Sequence, residues 1–268
     1  MKLIKLFNEI EALAGQESAA AKTTRRAAFG QFGRTLGKAA TVALPLAAFM
    51  KPTAARAQGS GSTVIDVLNF ALTLEYLEND YYAMGLDSDG LLSGDMRETV
   101  ALIGQHEAAH VEFLRTAISG NGGTPVEKPE FDFTAGGTFA DVFSNPQTFM
   151  AVAQAFEDTG VRAYKGQAGN LMGSGDVLTA ALQIHSVEAR HASEIRRLRG
   201  SKGWITGAMN TTGADAANAV YAGEDNVTQL TVDVTTITSV SRDQITQAWD
   251  EPLSQQAVLD IATLFIAQ

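Results

Sequence analysis

The chain has 268 residues, 45% of them hydrophobic, and a formal net charge of −10. That length allows one or two domains with a real core, and the acidic balance excludes the basic surface that nucleic-acid binding needs. With no cysteine, disulfides and thiolate metal sites are excluded, so any metal must be held by oxygen and nitrogen donors.

The N-terminal segment reads as an export signal. Thr24-Arg25-Arg26-Ala27-Ala28-Phe29 carries paired arginines, an apolar run follows from Ala39 to Met50, and then comes Ala55-Arg56-Ala57. This is the order of charged region, short apolar region and small-x-small cleavage site. The paired arginines resemble a twin-arginine signal, and cleavage is expected after Ala57. The blander alternative is a basic amphipathic start of a cytosolic protein. The 12-residue apolar run is too short to span a bilayer, so no stable membrane span is expected once the signal is removed. Residues 1–57 hold nine Lys/Arg and three Asp/Glu, which leaves 11 basic and 27 acidic residues in the remainder. Such a chain stays soluble and attracts cations. Its expected location is periplasmic or extracellular.

Four helices are predicted next by the recurrence of apolar residues every three to four positions. The first runs from Thr63 to Met84 with Ser62 as N-cap, and aligns Leu68, Leu72, Glu75 and Tyr82. The second runs from Ser93 to Ser119 and aligns Ile103, Glu107, His110 and Leu114. The third runs from Pro146 to Leu171 and aligns Met150, Glu157, Val161 and Tyr164. The fourth runs from Asp176 to Arg199 and aligns Ile184, Glu188, His191, Ile195 and Leu198. Short loops, Asp87-Ser88-Asp89-Gly90 and Met172-Gly173-Ser174-Gly175, make two hairpins. A long segment, 120–145, joins them. One long crossover between two helical hairpins is the connectivity of a ferritin-like antiparallel four-helix bundle. The fold class is therefore all-α, with the bundle over 58–200. Residues 201–268 form a C-terminal appendage expected to pack on it, with a β-prone run over 230–237 and a short helix from Ser254 to Ile266.

A motif occurs twice in this frame. Glu75 is followed seven residues later by Tyr82 and 32 residues later by Glu107, which opens Glu107-x-x-His110. Glu157 is followed seven residues later by Tyr164 and 31 residues later by Glu188, which opens Glu188-x-x-His191. Each glutamate interrupts an apolar stripe, where a lone carboxylate would be costly to desolvate. Four such intrusions at matched positions need a shared counter-charge, and a pair of cations supplies it. Residues i and i+3 share a helix face, so each Glu-x-x-His can serve one ion or span two. Oxygen donors with one imidazole per metal suit iron or manganese, and zinc could also enter; two iron ions are the expected pair, with manganese as the alternative. Tyr82 and Tyr164, two turns beyond their glutamates, read either as hydrogen-bond partners of ligands on other helices or as core tyrosines.

Together the two Glu-x6-Tyr and two Glu-x-x-His elements resemble the ferritin-like di-iron carboxylate superfamily. Leu74-Glu75-Tyr76-Leu77-Glu78, His106-Glu107-Ala108-Ala109-His110-Val111 and Phe156-Glu157-Asp158 are more similar to the ferritin-like domain proteins related to desiccation-related proteins. Trp249-Asp250-Glu251-Pro252-Leu253 resembles their C-terminal region. The resemblance covers about residues 62–268. It implies metal ligation by Glu75, Glu107, His110, Glu157, Glu188 and His191. Glu78, one turn beyond Glu75, competes with it for the ligand role. The repeat favours Glu75, leaving Glu78 facing solvent or acting as an auxiliary carboxylate.

The functional expectation is a redox-active di-metal protein acting with O2 or peroxide, of ferroxidase or peroxide-handling type. The alternative is a non-catalytic, exported protective protein of the desiccation or stress-related kind, with a structural metal. Whether the chain is an enzyme, and whether it forms a homo-oligomer, stay open. His106-Glu107-Ala108-Ala109-His110 also matches the zinc-protease H-E-x-x-H pattern, but that reading leaves Glu188 and His191 unexplained. His106 and His185 do not occupy equivalent places in the repeat and are expected to be surface or packing residues.

Overall fold

A computed structural model describes residues 63–267; the expected export signal, and Ser62 as an N-cap, lie outside them. Thr63 caps the first helix instead. Its hydroxyl accepts from the Asp66 amide at 3.1 Å, and the Asp66 carboxylate accepts from the Thr63 amide at 3.0 Å. Helix α1, Val64–Asp87, ends where the turn at Ser88 to Gly90 gives Gly90 a φ of 74°. Helix α2, Gly94–Gly120, returns alongside it. Asn145 caps α3, Pro146–Gln167, with Pro146 in the first turn, where its missing amide hydrogen costs nothing. A short 3-10 turn, Ala168–Leu171, leads to α4, Gly175–Leu198. The structure is an all-α, ferritin-like four-helix bundle made of two hairpins and a long crossover.

The four helices are not equally buried. In α1 every residue from Val67 to Glu78 is buried, and in α3 every residue from Phe149 to Tyr164. Helices α2 and α4 bury only a stripe. A helix buried on every side must be covered on every side, and the segments outside the bundle provide the cover. Ile205, Ala217, Val220, Tyr221, Leu253, Val258 and Ile261 pack on Phe70, Leu74, Ala155 and Ala163 of α1 and α3. From the crossover, Phe133, Phe139 and Val142 join Tyr81, Phe149 and Phe156 in the largest apolar cluster.

Buried polar groups fasten this covering. Arg162 of α3 is 1% exposed. Its guanidinium donates to the carbonyls of Val220, Ala222 and Glu251, and its Nε lies 2.8 Å from Glu224 Oε1. Asp158 pairs with Arg196 of α4 and accepts from the Tyr221 hydroxyl at 2.9 Å. The chain end is stitched to the crossover: the Asp132 amide donates to the Phe265 carbonyl at 2.8 Å, and the Ala267 amide to the Glu130 carbonyl at 2.9 Å.

The appendage differs from expectation in two respects. Of the run 230–237 only β2, Val232–Asp233, is strand, paired antiparallel with β1, Thr228–Gln229. The chain then tightens into a 3-10 turn, Val234–Thr236, where the Asp233 carboxylate accepts from the Thr235 amide at 3.0 Å. Strand propensity needs a partner to pair with, and only two residues find one. Helix α5, Arg242–Thr246, was not anticipated, whereas α6, Gln255–Ala262, and the 3-10 turn after it occupy the expected C-terminal helix.

Candidate metal centre

The two hairpins face each other across a cluster of carboxylates. Glu75 of α1, Glu107 of α2, Glu157 of α3 and Glu188 of α4 are all fully buried. Two imidazoles sit among them. His110 Nδ1 lies 3.2 Å from Glu75 Oε2, 3.0 Å from Glu107 Oε2 and 3.2 Å from Glu188 Oε1. His191 Nδ1 lies 2.9 Å from Glu107 Oε1, 3.3 Å from Glu157 Oε2 and 3.6 Å from Glu188 Oε2.

Glu107 and Glu188 thus each turn one oxygen toward His110 and the other toward His191. The donors form two overlapping groups, Glu75/Glu107/His110/Glu188 and Glu107/Glu157/Glu188/His191, in each of which the ligand atoms lie within 4.8 Å of one another. Two carboxylates common to both groups are what a pair of neighbouring cations requires.

The residues fit such a pair on a second count. Glu107 Oε1, Glu157 Oε2, both oxygens of Glu188 and His191 Nδ1 are buried and make no aligned hydrogen bond. Buried polar atoms ordinarily find partners; five orphans pointing into one space mark a place for a ligand of high positive charge.

The remaining oxygens are held from across the bundle. Tyr82 of α1 donates to Glu157 Oε1 on α3, and Tyr164 of α3 donates to Glu75 Oε1 on α1. Each tyrosine leaves the Oε2 of its partner turned to the centre. Burial, and then the adjacent carboxylate, push both phenols well above their ordinary range, so they stay protonated as donors.

Without metal the cluster is neutralised by protons. Burial, together with the Glu188 charge, holds Glu107 well above the usual carboxylate range. Burial also lifts Glu157 to about 7, against the pull of His191. Burial works against charge on the imidazoles, but Glu107, Glu188 and Glu75 outweigh it at His110. Glu157, Glu107 and Glu188 do so at His191, which is raised to about 12. Burial would raise Glu188 as well, yet the close approach of the two imidazoles brings it down to about 2.

All eight sequence-predicted residues, Glu75, Tyr82, Glu107, His110, Glu157, Tyr164, Glu188 and His191, come together here. Two neighbours stand beside them. Glu78, expected either to face solvent or to be an auxiliary carboxylate, does not face solvent: it is 3% exposed, beside the cluster. Burial, then Glu188, Glu157, Glu107 and Glu75 in that order, hold it well above the usual carboxylate range. Its spacing from Glu75 was the available signal. His106 is not a mere packing residue, since its Nδ1 lies 2.9 Å from His191 Nε2. The H-E-x-x-H string does not act as a zinc-protease pair, because His110 faces the carboxylates while His106 stands behind the ring of His191. His185, one turn before Glu188, joins neither donor group.

Fold and site together define a helical bundle whose interior carries a buried carboxylate–histidine cluster compatible with two metal ions. The ferritin-like domain family matches residues 63–201, more than half of the chain, and the chain belongs to that family. No curated protein matches it.

Proposed function

We propose that the chain is an exported di-metal protein whose centre takes two iron ions and oxidises Fe2+ at the expense of O2 or peroxide. The observation that carries this reading is the splitting of Glu107 and Glu188, each with one oxygen on either imidazole. Bound iron would supply one electron per ion to the oxidant. Glu75, Glu107, His110, Glu157, Glu188 and His191 would hold it, with manganese as the alternative metal. Four carboxylates balance two divalent ions, and the same residues temper the added charge on oxidation. Tyr82 and Tyr164 orient Glu157 and Glu75, and the apolar clusters on either side exclude bulk water.

A second reading is a protective protein with a structural metal. It is favoured by the closure of the site, where the four glutamates are fully buried and His110 is only 13% exposed. Elemental analysis, followed by addition of Fe2+ while oxygen uptake and ferric absorbance are recorded, separates the two. Two metals with oxidation above background support the enzyme, and two metals without oxidation support the structural role. Less than one metal per chain, or full metal content in Glu107→Ala, refutes the centre.

Export rests on Arg25-Arg26, the apolar run 39–50 and Ala55-Arg56-Ala57. Among the described residues no helix is long and apolar enough to cross a membrane. Cell fractionation with N-terminal sequencing tests the proposal. A mature start near residue 58 is expected, and a cytosolic chain beginning at Met1 overturns it.

A further inference from the structure

The internal repeat breaks at two places beside the metal centre. It pairs Glu75 with Glu157, Tyr82 with Tyr164, Glu107 with Glu188 and His110 with His191. Three residues after Glu75 stands Glu78, but three after Glu157 stands Gly160. One residue before Glu107 stands His106, but one before Glu188 stands Val187.

Both extra side chains gather on the same half of the centre. Glu78 is buried, 3% exposed. A Cβ placed on Gly160 would lie 3.3 Å from Glu78 Oε1 and 3.6 Å from Glu188 Oε2. The Glu78 carboxylate therefore reaches from α1 across to α3. It ends one turn beyond Glu157 and near the Glu188 oxygen that faces His191. The absence of a side chain at Gly160 leaves it that room. The charges that oppose its ionisation follow the same order, Glu188 and Glu157 ahead of Glu107 and Glu75.

His106 approaches the same half from α2. With His191 Nδ1 turned to the carboxylates as a metal donor, the ring hydrogen belongs on Nε2, and His106 Nδ1 accepts it at 2.9 Å. That contact sets the tautomer and ring orientation of His191. His110 has no such support among the described residues and is 13% exposed.

We propose that the two cation positions are unequal, with Glu78 and His106 making the one between Glu157 and His191 the tighter and the first to fill. This rests on the two-metal reading above. Glu78 brings a fifth carboxyl group to the centre, on that side, and once it gives up its proton to an arriving cation its charge strengthens the hold on that cation. His106 acts as a positioning residue through His191, and such partners alter metal affinity by roughly 10–100-fold. The position between Glu75 and His110 has neither aid, and its imidazole meets water, so its cation exchanges more readily.

Cobalt titration of the chelator-treated chain tests this, with calorimetry and visible absorption as readouts. Two binding steps differing at least about tenfold are expected. His106→Ala should weaken the first step by about 10–100-fold and leave the second nearly unchanged. His106→Asn, which keeps an acceptor, should recover part of the loss. Glu78→Gln should also weaken the first step selectively. At one equivalent of cobalt, anomalous diffraction from the wild-type crystal should place the ion beside Glu157 and His191, a result independent of how the variants fold. Equal affinities in the wild type, an ion beside Glu75 and His110, or variants that weaken both steps alike or neither would overturn the inequality while leaving the metal centre intact. A wild type that binds no cobalt overturns the metal centre itself.

Discussion

Loading the centre with two divalent cations at pH 7 should expel at least about two protons per chain, because the ligands must give up the protons that neutralise the metal-free cluster. The count follows from the site. His110 and His191 are both held protonated by the carboxylates around them, and burial, with the Glu188 charge, raises Glu107 well above the usual carboxylate range. Glu157, at about 7, is half protonated. Each of these four is a proposed donor, so one proton from each imidazole must leave, and any held on the carboxylates adds to them. The affinity for the pair of cations should then rise by roughly 1.4 kcal/mol per released proton for each pH unit near neutrality. Isothermal titration of zinc into chelator-treated protein, repeated in buffers of different ionisation enthalpy, measures the number directly. Zinc avoids redox side reactions. A release below about two protons for two bound cations would refute the reasoning, since it would mean that the buried imidazoles are neutral and the carboxylates are balanced by something else.

Three further outcomes follow from the same geometry. Tyr82→Phe and Tyr164→Phe each delete a hydrogen bond to a buried glutamate on the opposite hairpin, and each should cost about 1.5–3 kcal/mol in urea unfolding; a loss under about 0.5 kcal/mol in both would contradict the cross-hairpin role. Arg162→Met strands Glu224 and three carbonyls beneath the appendage and should cost about 3–5 kcal/mol, partly recovered in the double variant with Glu224→Gln. No recovery would show that the pair is not the linkage. Burial raises Glu157 and Glu224 to about 7. Their contribution to metal-free stability is therefore full below the unfolded carboxylate range and lost as pH rises through about 7. The melting temperature of chelated protein should fall between about pH 5 and pH 8, and Glu224→Gln should flatten part of that fall. Loaded protein should instead lose metal on acidification, as protons compete for the donors. A chelated protein that gains stability over the same range would contradict the assignment.

Much of this was readable from local pattern. Helix periodicity and turn residues placed the four bundle helices to within a few residues, because both are properties of adjacent positions. Short loops forced each hairpin to be antiparallel. The doubled Glu-x6-Tyr and Glu-x-x-His spacing singled out the residues that the fold brings together, since i and i+3 share a face whatever the partner helix. The run over 230–237 shows the limit of that logic: its propensity for strand met only a two-residue partner.

What the sequence alone determined, then, was the set of helices, their pairing into hairpins and the eight residues of the doubled motif. Only the tertiary structure decided that Tyr82 holds Glu157 while Tyr164 holds Glu75, that Glu78 is buried against Gly160, and that His106 stands behind His191. It also decided that Arg162, Asp158 and Arg196 tie the appendage and α4 to α3. Those contacts join residues 38 to 89 positions apart, and Glu78 meets Gly160 across different helices. They depend on how one hairpin is set against the other, how α4 lies on α3 and how the appendage folds over them. Side-chain spacing along a helix is dictated by the helix, whereas contacts between hairpins are dictated by packing, which no local pattern encodes.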